Sequence, residues 1–205
     1  MFPTKKYKSK RNSQHTEGVL NMARVHLKQP DELTGDARKA YEALEAAGKV
    51  TNMKLVMLQD YGTYKAFMGW YDSWASLEKA IGLRAATIYA HAVSTTNGCM
   101  LCSLFFISDL RELGLDPNSF ETTENEKLLQ QLGQQIVKDP TKVSDELLNG
   151  LRKFYTDEQI IIIVGFGAQM QATNNFNSVL GVDVDQRLLP LKDQFNPATW
   201  RDVIK

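Results

Sequence analysis

Four glycines, Gly48, Gly82, Gly98 and Gly114, each close a stretch of chain rich in helix-forming residues. This punctuation constrains the fold more than any other feature, because a glycine just past a helical segment supplies the residue on which helices stop. Thr34 or Asp36 can cap a first helix running through Ala37, Tyr41, Leu44 and Ala47. A second is expected at about 52–60. A third spans 63–81, where Tyr64, Phe67, Met68, Tyr71, Trp74, Ala75 and Leu77 form a stripe at 3–4 spacing, the pattern of a core-facing surface. Residues 83–96 read as a helix ended by Asn97-Gly98, and 99–113 as a helix ended by Gly114 with Pro117 beyond. Leu101, Leu104, Phe105, Ile107, Leu110 and Leu113 give the latter a buried face.

The starts downstream are as well marked. Thr123-Glu124-Asn125-Glu126 and Thr156-Asp157-Glu158-Gln159 fit capping boxes, opening helices to about 138 and 180, and Ser144 opens a shorter one over about 144–153. The β-branched run Ile160-Ile161-Ile162-Ile163-Val164 would also suit a buried strand. Its cap and the length of the segment favour a helix. The expectation is an all-α fold of one domain, residues 31–205, behind a polar basic extension at 1–30.

Lys+Arg and Asp+Glu both number 24, so no global charge bias draws the chain to nucleic acid or an anionic membrane. Lys5, Lys6, Lys8, Lys10 and Arg11 make a short basic tail, expected to be solvated. No secretory-type apolar core follows these charges. The longest apolar run, Ile160 to Ala168, is well short of the roughly 20 residues a bilayer span needs. A cytoplasmic protein without membrane contact is expected. Gly165-Phe166-Gly167 lacks the strand, third glycine and downstream acid of a dinucleotide loop, and reads as a site of close helix packing.

Chemistry is concentrated in Asn97-Gly98-Cys99-Met100-Leu101-Cys102, which holds both cysteines of the chain. At the start of a helix, unpaired N–H groups and the positive end of the dipole favour a thiolate. The second thiol can then resolve a mixed disulfide. Two inert buried cysteines would have the same spacing. With only His15, His26 and His91 and no second cysteine pair, four zinc ligands are not at hand, and neither metal nor cofactor is expected. Asn174, Asn175 and Asn177 could hydrogen-bond across helices near the thiols or serve simply as polar packing.

The order helix, Asn-Gly-Cys-x-x-Cys, helix, Gly-Leu, then a distal acid-capped helix with Asn175, Asn177 and Leu180-Gly181, resembles the carboxymuconolactone decarboxylase/AhpD-like superfamily. Gly48-Lys49-Val50-Thr51-Asn52 is similar to the turn before that family's second helix, and the resemblance covers roughly residues 33–185. It implies an all-α fold, assembly into homotrimers or hexamers, and thiol peroxidase or disulfide reductase activity of antioxidant type, recycled by a protein thiol donor. In AhpD-like members a glutamate twelve residues before the first cysteine and a histidine four after the second relay protons to the dithiol. Those positions here are Thr87 and Phe106, so the relay is absent.

Without a base for the attacking thiol and an acid for the leaving oxygen, peroxidase activity is expected to be weak or absent. Disulfide exchange is less demanding, because its leaving group is a thiolate. His91, one helical turn beyond Thr87, is the single candidate replacement base. The resemblance implies Cys102 as attacking thiol and Cys99 as its partner, whereas helix-dipole reasoning favours Cys99. The leading expectation is therefore a thiol–disulfide oxidoreductase using Cys99 and Cys102. A non-catalytic oligomeric binding module comes second and a lactone decarboxylase third.

Overall fold

The computed structural model describes residues 23–195, and the basic tail and His15 lie outside them. Among the described residues nine α-helices and no strands occur: α1 (Gly35–Ala46), α2 (Asn52–Met57), α3 (Tyr61–Met68), α4 (Trp70–Ile81), α5 (Leu83–Asn97), α6 (Met100–Glu112), α7 (Glu124–Lys138), α8 (Asp145–Leu151) and α9 (Asp157–Leu180). Short 3₁₀ turns at Pro30–Glu32 and Pro140–Lys142 precede α1 and α8, and a longer one, Gln186–Gln194, follows α9.

The centre of the fold is α5, which packs against α4, α6, α7 and α9. Every residue from Ala85 to Thr96 is buried. A helix enclosed on all sides needs small or apolar residues all round, and Ala, Thr and Ser alternate here with Ile88, Tyr89 and Val93. Tyr89 is wholly buried, and its hydroxyl donates to the Ile163 carbonyl on α9 at 3.0 Å. That close approach depends on Gly167: a Cβ there would collide with the Tyr89 Oη and lie 2.6 Å from Ile136 Cδ1. Gly167 and the buried Phe166 thus serve helix packing, whereas Gly165 is exposed and a Cβ there would meet nothing within 4 Å.

Both capping boxes are formed. Thr123 and Glu126 exchange bonds at the start of α7, as do Thr156 and Gln159 at α9. The isoleucine run is helical, with Ile160, Ile163, Phe166, Met170, Thr173 and Asn177 on the buried face of α9. One element differs from expectation. The segment 63–81 is two helices that meet at Gly69, and the first begins earlier, at Tyr61, because the Asp60 carboxylate accepts from the Thr63 N–H at 2.7 Å. Glycine is a weak helix former, and the hydrogen-bond ladder is interrupted there. No sequence signal foretold the turn at Gln186–Gln194, which contains Pro190 and packs on α6.

Residues ahead of α1 lie along the helices. The Arg24 N–H donates to the Leu180 carbonyl at 2.7 Å, and the Lys28 N–H to the Gln59 side chain at 2.8 Å. No described helix is long and apolar enough to cross a membrane.

Candidate functional site

The turn between α5 and α6 sets the site. Gly98 adopts a left-handed conformation (φ 78°, ψ 18°), open to glycine without cost. The Gly98 N–H donates to the Thr95 carbonyl and the Cys99 N–H to the Ser94 carbonyl, the paired bonds of a Schellman ending. Cys99 is then at once the last residue of that ending and the N-cap of α6, its carbonyl accepting from the Ser103 N–H at 2.9 Å. Cys102 stands in the first turn. Both thiols are free and buried.

The two sulfurs occupy opposite electrostatic states. Cys99 is drawn down to about 7, chiefly by a hydrogen bond from the Cys102 thiol. Burial opposes this, while the Cys102 and Leu101 N–H groups and the Ser178 hydroxyl add to it. Cys102 is held well above the ordinary thiol range because it is the donor in that bond and is itself buried. Asn177 on α9 partly offsets this: its Nδ2 donates to Cys102 Sγ at 3.2 Å and also approaches Met53 Sδ at 3.4 Å.

Each thiol lines its own cavity. Cys99 lines an open cavity of about 640 Å³ with Ser178, Asp183, Gln186 and Lys192. Cys102 lines a narrower one of about 80 Å³ between α2, α3, α4, α6 and α9, walled by methionine and aromatic side chains. Leu101 and Asn177 line both. Phe67, Met68 and Tyr71, read from sequence as core, are half-exposed or exposed walls of the smaller cavity.

The relay positions are filled by groups without acid–base use. Thr87 is buried and spends its hydroxyl on the Leu83 carbonyl at 2.9 Å. The Phe106 ring lies 5.9 Å from Trp74 and 5.5 Å from Phe105. His91 is buried in α5, burial pushes it down to about 4, and it lines neither cavity. The structure thus brings Cys99 and Cys102 together and leaves His91 apart from both cavities. All three asparagines make side-chain bonds: Asn174 accepts from Ser94 at 3.4 Å and Asn175 from Asn97 at 3.2 Å. Ser178 had no signal in the sequence; Asn177 had one, a polar residue on the apolar side of α9.

No family model matches the chain, and no curated protein is significantly similar to it. Solved structures are similar. One is the alkylhydroperoxidase AhpD core of an uncharacterized peroxidase-related protein from Ralstonia eutropha JMP134 (TM-score 0.64, 18% identity, covering 82% of this chain and 94% of that one). Another is an uncharacterized peroxidase-related protein from Silicibacter sp. TM1040 (TM-score 0.67, 16% identity, 85% and 97%). A third is the debrominase Bmp8, as a cysteine-to-alanine variant in complex with 2,3,4-tribromopyrrole (TM-score 0.69, 17% identity, 85% and 100%). The chain has the all-α fold of the AhpD-like superfamily.

Proposed function

We propose that the protein is a thiol–disulfide oxidoreductase in which Cys99 attacks and Cys102 resolves. The observation that carries this reading is the unequal pair: a Cys99 thiol near 7, facing the open cavity, beside a Cys102 thiol that keeps its proton. The Cys99 thiolate attacks one sulfur of a disulfide, forming a mixed disulfide and expelling the other sulfur as thiolate. Cys102 then gives up its proton to that thiolate or to water and attacks Cys99 Sγ. The Cys99–Cys102 disulfide forms and the second substrate thiolate leaves. A dithiol donor, such as a protein thiol, returns the pair to its reduced state.

Peroxide reduction is the weaker activity. A departing alkoxide needs an acid, and Thr87, Phe106 and His91 offer none at the thiols. Single-turnover reduction of 2-hydroxyethyl disulfide by the reduced protein tests the reading, with cumene hydroperoxide run in parallel. Cys99→Ser abolishes disulfide reduction, and Cys102→Ser stops at a one-to-one mixed disulfide visible by mass spectrometry. Full disulfide reduction by either variant at the wild-type rate would falsify the assignment, and ordinary pKa values for both thiols would favour a binding module.

The proposal extends to a homo-oligomer, trimer or hexamer. Supporting it is the outer face of α9, where Ile161 is 72% and Val179 63% exposed and Val164, Gly165, Ala168 and Ala172 are exposed between them. A mostly apolar and small-residue stripe along a 24-residue helix suits burial against a second copy.

A further inference from the structure

We infer that the smaller cavity is a binding site for a small, uncharged aromatic molecule that carries one hydrogen-bond donor. Four features lead there. First, its walls are made of rings and thioethers: Phe67, Trp70, Tyr71, Phe105 and Phe106 with Met53, Met57, Met68 and Met170. Aromatic guests gain from edge and stacked ring contacts and from sulfur at the ring edge.

Second, Asn177, which stands between this cavity and the larger one, carries a buried acceptor with nothing to accept. Asn177 is 2% exposed and spends its Nδ2 on two sulfurs, yet its Oδ1 has no hydrogen-bond partner among the described residues. A buried acceptor left unpaired is destabilising, so a guest O–H or N–H is favoured there. Third, the interior selects against charge. Cys102 keeps its proton, no lysine, arginine or histidine among the described residues lines the space, and the carboxylate of Asp185 stands in the lining and repels anions. Fourth, the cavity admits one ring once its walls yield. The cavity of about 80 Å³ is below the roughly 150 Å³ that holds benzene in a rigid apolar site. Methionine is the side chain that most readily yields such a margin, and four line it.

The inference rests on the cavity, independently of whether the thiols turn over. Calorimetric titration of the full-length, reduced protein with phenol, anisole and benzoate decides it. Phenol is expected to bind saturably, anisole about five- to tenfold more weakly for want of a donor, and benzoate undetectably. In Asn177→Ala the phenol-to-anisole ratio falls to near one. Met68→Trp, which fills the cavity, weakens phenol by tenfold or more. Failure of phenol to saturate, equal binding of anisole, or binding of benzoate as tight as phenol overturns the inference, as does unchanged phenol affinity in folded Met68→Trp. The wild-type series decides without either variant.

Discussion

The Asn177 amide donates to the Cys102 sulfur at 3.2 Å, tying the end of α9 to the first turn of α6. Cys102 also donates to Cys99, so one thiol is both the proton holder of the pair and the acceptor of a fixed amide. When Cys102 must ionise to resolve a mixed disulfide, that amide stabilises the new charge. Asn177→Leu is therefore expected to leave the first attack by Cys99 near wild type and slow resolution about tenfold, the scale of one hydrogen bond to a charged sulfur. Rapid-quench mass spectrometry checks it: the mixed disulfide accumulates in the variant. Equal rates of both steps would show that the amide only packs.

The Cys102 thiol is the largest cause of the depressed Cys99 pKa. Cys102→Ala removes it while the backbone donors and Ser178 remain. The Cys99 titration, followed by thiolate absorbance or by alkylation rate, is expected to start near 7 in wild type and move up toward the ordinary thiol range in the variant. An unmoved midpoint would assign the depression to the helix start.

Much of this arrangement is legible in the sequence. Thr123, Ser144 and Thr156 announce three helix starts, and Gly82 and Gly98 two stops, because capping chemistry is local and needs no partner from elsewhere in the fold. The dithiol at a helix start is equally readable from Gly98-Cys99. The division of labour between the thiols is not: it depends on Asn177 and Ser178, more than seventy residues away, and on which cavity each sulfur faces. The aromatic stripe on α3 and α4 has the spacing of a core surface, and spacing does not reveal that methionines opposite it leave a cavity.

The depression of His91 makes stability fall in acid. Its pKa is about 4 when folded and about 6.5 when unfolded, so between those values the unfolded chain binds the extra proton. The contribution is fully present above about 6.5 and is lost as pH falls toward 4, at a slope approaching about 1.4 kcal/mol per pH unit. Urea unfolding at pH 7 and pH 5 checks it: the loss in wild type exceeds that in His91→Gln. Identical losses would place the proton uptake elsewhere.

Asp109 behaves in the opposite sense. Burial and the neighbouring Glu112 raise it to about 6, although Arg187 pulls the other way. A raised carboxyl contributes stability that is complete below about 4 and is lost as pH rises through 6. Asp109→Asn is expected to raise the urea midpoint at pH 7.5 and leave it unchanged at pH 4. A drop at pH 7.5 would show that the charged form is held by Arg187.

The contact of α5 with α9 leaves no space for a side chain at position 167. Gly167 leaves room for the Tyr89 hydroxyl on its way to the Ile163 carbonyl, and neither Tyr89 nor Ile136 can retreat easily, since both lie in the core. Gly167→Ala gains about 1 kcal/mol of helix propensity but must displace Tyr89. Overpacking of a close-packed interior costs typically about 1–3 kcal/mol, and breaking the Tyr89 bond strands the buried Ile163 carbonyl for a similar amount. The net expectation is a loss of about 1–3 kcal/mol, read as a lower urea midpoint with unchanged slope. Because α9 also carries Asn177, the same variant is expected to slow resolution of the mixed disulfide. A more stable Gly167→Ala protein would mean that α5 and α9 can separate without cost.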